Sequence, residues 1–181
     1  MKLLQIIFFT LLPCFLFSQN ILTGISSRYD DSFTEWIVYT DNEDETGEIK
    51  MRWMQHNDFT KWDYDIGGQY GRIETSRGND LTEWRISGDE DIITMRPRFP
   101  RDISEWRITD NDKTIIFKTR YSNNGDEWLI ETEKYGWFTI YTEYARDPRD
   151  WIIIDEMNED VSMTMKVAMV FAAVFNAAPR Q

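Results

Sequence analysis

Six tryptophans recur at almost constant spacing, and this restricts the fold more than any other feature of the chain. Trp36, Trp62, Trp84, Trp106, Trp128 and Trp151 follow one another at intervals of 26, 22, 22, 22 and 23 residues. The residue before each is charged: Glu35, Lys61, Glu83, Glu105, Glu127 and Asp150. Two residues beyond each stands Val38, Tyr64, Ile86, Ile108, Ile130 or Ile153. Side chains two apart share one face of a strand, and the residue between them points to the other. Each tryptophan therefore marks a strand with one apolar and one charged face. Thirteen and eleven residues upstream stand further pairs, Ile49/Met51, Gly71/Ile73, Ile93/Met95, Ile115/Phe117 and Phe138/Ile140. They define a second strand per unit. Tyr29, Phe99, Tyr121 and Tyr144, each seven residues upstream, fall at odd offsets and are expected on the same apolar face.

Turn-forming stretches such as "SGDED", "TDNDK" and "RDPRD" separate the strands. The connections are too short for parallel crossovers, so neighbouring strands should be antiparallel. The expected fold is all-β with one C-terminal α-helix. Its body is an antiparallel meander of about twelve short strands, built from 22-residue hairpin repeats, in an open or curled sheet. A closed up-and-down β-barrel is the alternative, and it requires the first and last strands to pair. The hairpin unit, its length and its tryptophan resemble MORN-type repeats in architecture. Most units here lack the glycines that flank the aromatics in that family, and no residue role is carried over.

Residues 1–18 read as a secretory signal peptide: Lys2, then an apolar "LLQIIFFTLLPCFLF" run, then the small Ser18, with cleavage before Gln19. Cys14 raises the alternative of an acylated anchor, but Pro13 stands where such a motif wants a small residue. Residues 19–157 form the β-hairpin repeat domain. Beyond it, residues 158–181 switch to helix formers, with Asn158 as the expected cap, a helix from about Glu159 to Asn176, and Pro179 beyond its end. Its apolar run is too short for a membrane span, which needs about 20 residues, so the mature chain is expected to hold no transmembrane span. The chain is expected to be exported to a periplasmic, envelope or extracellular location.

Composition excludes more than it identifies. The formal charge is −12, and without Lys2 it becomes −13, which argues against a nucleic-acid partner. Beyond Cys14 there is no cysteine, hence no disulfide framework in the mature chain. The single histidine, His56, lies in the widened 26-residue interval and lacks a nucleophile motif around it. The acidic "DNEDETGE" turn at 41–48 has Thr46 where a calcium loop of the EF-hand type has glycine. With 32 acidic residues, paired carboxylates of the glycosidase kind carry no information. No catalytic residue, metal ligand or cofactor is assigned.

One region breaks the alternation. Leu129, Trp137, Tyr141, Ile152 and Ile154 all fall on the face that carries Glu83, Arg85, Arg96, Glu105, Arg107 and Lys118 in the middle units. There, opposite charges on adjacent strands are expected to pair as a ladder. Ile37 and Tyr39 break the rule near the other end of the chain. Such residues either lie under the C-terminal helix, with Met165, Val167, Phe171 and Val174 supplying the cover, or form an exposed binding patch. Trp137, Tyr141, Leu129 and Ile152 are accordingly the candidate binding residues. The partner classes are a protein, a glycan or a small apolar ligand. The functions that follow are an exported non-enzymatic repeat protein for interaction, adhesion or envelope scaffolding, a barrel holding an apolar ligand, or a carbohydrate-binding or carbohydrate-active module.

Overall fold

The computed structural model describes residues 21–178 except 57, 90 and 123. The expected leader, Cys14 and Pro179 lie outside the described residues. Twelve strands follow in chain order: β1 (Leu22–Tyr29), β2 (Ser32–Thr40), β3 (Thr46–Met51), β4 (Lys61–Ile66), β5 (Gln69–Thr75), β6 (Trp84–Ser87), β7 (Ile92–Phe99), β8 (Asp102–Thr109), β9 (Thr114–Tyr121), β10 (Asn124–Ile130), β11 (Gly136–Thr142) and β12 (Asp150–Met157). Each pairs antiparallel with its neighbours in sequence, and β1 pairs with β12 through Gly24 opposite Ile152 and Ile25 opposite Trp151. The sheet therefore closes into a barrel, the alternative that the repeat allowed, rather than staying open.

Closure is made possible by the repeat itself. All six tryptophans and their apolar partners point inward, and the tryptophans are at most 3% exposed. Behind five of them lies a shared local device. The indole Nε1–H donates to the carbonyl three residues earlier: Trp62 to Phe59, Trp84 to Leu81, Trp106 to Ile103, Trp128 to Gly125 and Trp151 to Pro148, at 2.8–2.9 Å. Four residues before each of these tryptophans stands Asp58, Asp80, Asp102, Asn124 or Asp147. Its side chain accepts from the backbone N–H two residues on. This Asx turn bends the chain into the strand and satisfies the buried indole. The phrase "DISEW" is thus a complete turn-and-anchor unit.

The four aromatics seven residues upstream do not join the core. Tyr29, Phe99, Tyr121 and Tyr144 are all exposed. Register shifts between Ser27 and Tyr29, between Pro97 and Phe99, and between Asn124 and Trp128 show the cause for three of them. In each hairpin the tryptophan strand advances four residues while its partner advances two, so regular pairing breaks there and leaves the aromatic at the turn end of the hairpin, at the mouth of the barrel.

The C-terminal helix α1 (Met163–Ala177) lies inside the barrel. Every residue from Met163 to Phe175 is buried, so the helix has no solvated face. It touches strands on several sides of the lumen. Phe171 packs edge-on against Trp62 and Trp84 at centroid distances of 5.5 and 4.9 Å, and Phe175 meets both indoles too. The Tyr64 hydroxyl lies 3.0 Å from Thr164 Oγ1. Eight strands close around an interior that side chains alone can fill, and barrel diameter grows with strand number. Twelve strands leave a wider bore, and a helix about 10 Å across fills it. The helix therefore does not cover the outer apolar residues: Met165, Val167, Phe171 and Val174 face the lumen side of the sheet. Its cap is also four residues later than the sequence suggests, since Ser162 Oγ accepts from Met165 N at 3.2 Å. Residues 158–161 are consumed in turning the chain from β12 into the bore.

Candidate binding surface

Alternation on β10, β11, β12, β1 and β2 sets the outward positions, and closure brings them together. Leu129 stands opposite Thr139, and Thr139 opposite Ile154. One row further along, Tyr141 stands opposite Ile152, Ile152 opposite Gly24, and Gly24 opposite Tyr39. Ile37 lies opposite Ser26. The two apolar ends of the chain thus fuse into one patch across the β1–β12 seam. Ile152, Ile154 and Tyr39 are exposed, while Leu129, Trp137, Tyr141 and Ile37 are half-buried among them. All four sequence-derived candidates, Trp137, Tyr141, Leu129 and Ile152, lie on this one surface. Thr139 faces outward at its centre yet is 4% exposed, and its hydroxyl has no hydrogen-bond partner. At the margins, Trp137 stands opposite Glu156, and Tyr141 opposite Glu127, which is held by Arg120 at 2.8 Å.

The charged remainder of the outer face pairs across adjacent strands, as expected of a ladder. The ion pairs run largely within hairpins: Arg28 with Glu35, Arg77 with Glu83, Arg98 with Glu105, Arg120 with Glu127. Lys118 binds Glu131 at 3.4 Å, although Glu105 is its register partner. Arg96 stands directly opposite Arg107, a like-charged pair. Arg28, Arg98 and Arg120 each precede their glutamate by seven residues, and the pairing of Ser27 with Trp36, Pro97 with Trp106 and Thr119 with Trp128 sets each arginine directly across its hairpin from that glutamate.

The lumen holds polar groups that the sequence reading passed over. Lys166 Nζ donates to Asp155 Oδ2 at 2.8 Å, and their side chains are 1% and 0% exposed. Asp155 also accepts from Leu22 N at 3.1 Å and from Met157 N at 3.2 Å. One carboxylate thereby ties the helix, the last strand and the first strand together at the seam. The signal was present: counting by twos from Trp151 and Ile153 puts Asp155 on the apolar face. At the mouth where the helix enters, Ser162 also hydrogen-bonds Asp91. Tyr64 lies across from Gly71, whose missing Cβ leaves room for the ring. Burial pushes the Tyr64 hydroxyl up to about 12, so it is protonated at neutral pH. At the opposite mouth, a cavity of about 10 Å³ remains between Phe33, Trp36, Phe59 and Trp62 on the wall and Phe171, Val174, Phe175 and Ala178 on the helix. That is about the space of a single water.

His56 lies in an exposed 3-10 turn between β3 and β4. Among the described residues, no group of three or more His, Cys, Asp or Glu side chains could hold a metal ion, and no helix is long and apolar enough to cross a membrane.

Together these features define a class: a closed twelve-stranded up-and-down barrel filled by its own C-terminal helix. No family model, curated protein or solved structure matches this chain.

Proposed function

We propose that this chain is an exported, non-enzymatic interaction module that binds a protein partner through the outer surface of its barrel, at the apolar patch across the closure seam. One observation carries the reading. The inward positions are consumed by the helix and the tryptophans, so the apolar surface left over for recognition is on the outside. Aromatic side chains mixed with aliphatic ones, and bordered by Glu127 and Glu156, have the composition of an interface core with a polar rim. The alternative, an apolar ligand inside the barrel, requires Phe171 and Phe175 to leave Trp62 and Trp84. The apolar slot of Phe33, Phe59 and Ala178 at one mouth is the place where such a ligand would start.

A photo-crosslinking phenylalanine analogue at Tyr141, compared with one at Arg107 on the far side, tests the proposal in the native envelope. A discrete protein adduct from Tyr141 alone, lost on Ile152→Asp, is expected. Equal labelling from both positions, or adducts that survive Ile152→Asp, would refute it. Saturable binding of an apolar fluorophore that quenches the buried tryptophans would favour the lumenal reading instead. The leader is tested by the mass of the exported protein, which should begin at Gln19.

A further inference from the structure

The two mouths of the barrel differ in chemistry, and the difference follows from the meander. Hairpins β1–β2, β3–β4, β5–β6, β7–β8, β9–β10 and β11–β12 all turn at one end, which we call the tryptophan end. The other connections, and the entry of the helix, lie at the opposite end. At that opposite end the described residues of segments 41–45, 67–68, 88–91, 110–113, 131–135 and 158–162 include twelve acids against Lys113 and Lys134, a formal charge of −10. At the tryptophan end the segments 30–31, 52–60, 76–83, 100–101, 122–123 and 143–149 carry seven acids against five arginines, a formal charge of −2. Nearly all the net charge therefore sits on one mouth.

The near-neutral mouth carries an apolar rim. Tyr29, Trp53, Met54, Phe99, Ile103, Tyr121 and Tyr144 are each between 45% and 62% exposed. They come from five of the six hairpins at that end, so they are spread around the mouth and not gathered on one side. Tyr29 and Phe99 lie beyond the irregular pairing at the last step of their hairpins, which places them at the mouth rather than in the core. The Arg98 guanidinium lies over the Phe99 ring at 5.3 Å, and Arg101 and Arg146 occupy hairpin tips with φ of 68° and 64°. A ring of aromatic tips with interspersed arginines is the side-chain chemistry of a membrane–water interface, where amphipathic rings sit among headgroups and arginines reach phosphates. A rim that surrounds a mouth suits a planar partner better than it suits a single chain or a groove-binding ligand.

We propose that the tryptophan end docks end-on against a lipid bilayer surface, with its aromatic tips in the headgroup region and the acidic end facing away. This does not rest on the seam patch, which lies on the barrel flank and stays free in this orientation. Shallow insertion of several rings gives reversible adsorption, and with a rim charge near zero it should depend little on anionic lipid.

The test is cosedimentation of the folded protein with phosphatidylcholine vesicles, with a parallel arm containing anionic phosphatidylglycerol. The protein is expected to bind the neutral vesicles. The triple variant Phe99→Ser, Tyr121→Ser, Tyr144→Ser should bind at least tenfold more weakly, and Tyr70→Ser at the acidic end should bind like the parent. Brominated lipid should quench Trp53, and the quenching should disappear in Trp53→Phe. That readout holds even if the triple variant folds poorly. No binding to either vesicle, quenching that persists in Trp53→Phe, or equal weakening by Tyr70→Ser would each overturn the proposal, as would binding only to the anionic vesicles.

Discussion

Lys166→Met is the most direct probe of how the helix is fixed in the bore. Methionine matches the lysine stem in volume, so packing changes little and the ammonium is removed. Asp155 would then remain buried beside two backbone N–H donors, Leu22 N and Met157 N, with its charge uncompensated. Breaking a buried pair from one side costs about 3–5 kcal/mol. The two remaining donors place this case near the lower end, at about 3 kcal/mol. Asp155→Asn removes the charge from the other side and leaves a buried ammonium, so about 3 kcal/mol or more is expected there too. The double variant carries no buried charge, and the asparagine oxygen can still accept from Leu22 N or Met157 N. It should lose only about 1–2 kcal/mol, the cost of weaker hydrogen bonding. The coupling energy is then about 4–5 kcal/mol. Urea denaturation followed by tryptophan emission measures all four corners, since Trp62 and Trp84 report on the helix through Phe171. For a domain of this size each single variant should lower Tm by roughly 6–12 °C. A coupling energy below about 0.5 kcal/mol would refute the reasoning and show that the pair does not lock helix to seam.

Deleting residues 159–181 should leave a barrel with an empty apolar bore, and loss of cooperative unfolding with strong binding of a hydrophobic dye is the expected result in a thermal scan. Gly88→Ala should destabilise by about 1–3 kcal/mol, because overpacking strains its neighbours: a Cβ there would lie 2.1 Å from Thr164 Oγ1 and 2.8 Å from the Tyr64 hydroxyl. Adding Thr164→Ala should recover part of that loss in the same denaturation assay. The Arg149 guanidinium and its backbone N–H hold the Asp147 carboxyl down at about 2 from an ordinary value of 3.8. Its folded form thus releases its proton more readily than the unfolded chain. The stability it contributes is complete above pH 4 and lost as pH falls from about 4 to about 2. Asp147→Asn should flatten that limb of a stability–pH profile by lowering stability at neutral pH, and leave stability below about pH 2 nearly unchanged.

The repeat made the strands legible. A tryptophan every 22 residues with period-two alternation identified all six tryptophan strands, five of their partners and which side of each was core, because burial on one face of a strand writes itself directly into neighbouring residues. The candidate residues Trp137, Tyr141, Leu129 and Ile152 were readable for the same reason, as breaks in that alternation. What was misread depended on counts that change locally. A two-residue irregularity in the facing tryptophan strand left Tyr29, Phe99 and Tyr121 at the open mouth beyond the regular pairing, and nothing in their spacing from tryptophan records it.

Closure and the position of the helix belonged to the tertiary structure alone. Strand pairing between β1 and β12 joins residues more than 120 positions apart, as Gly24 meets Ile152, and no local pattern encodes such a contact. An all-round apolar helix says only that it is buried, and both faces of the sheet were open to it. The bore decided the matter: twelve strands enclose a space too wide for side chains to fill, and the helix is the segment of matching width. With the helix inside, the apolar residues of the two chain ends were left facing outward, and closure joined them into one surface.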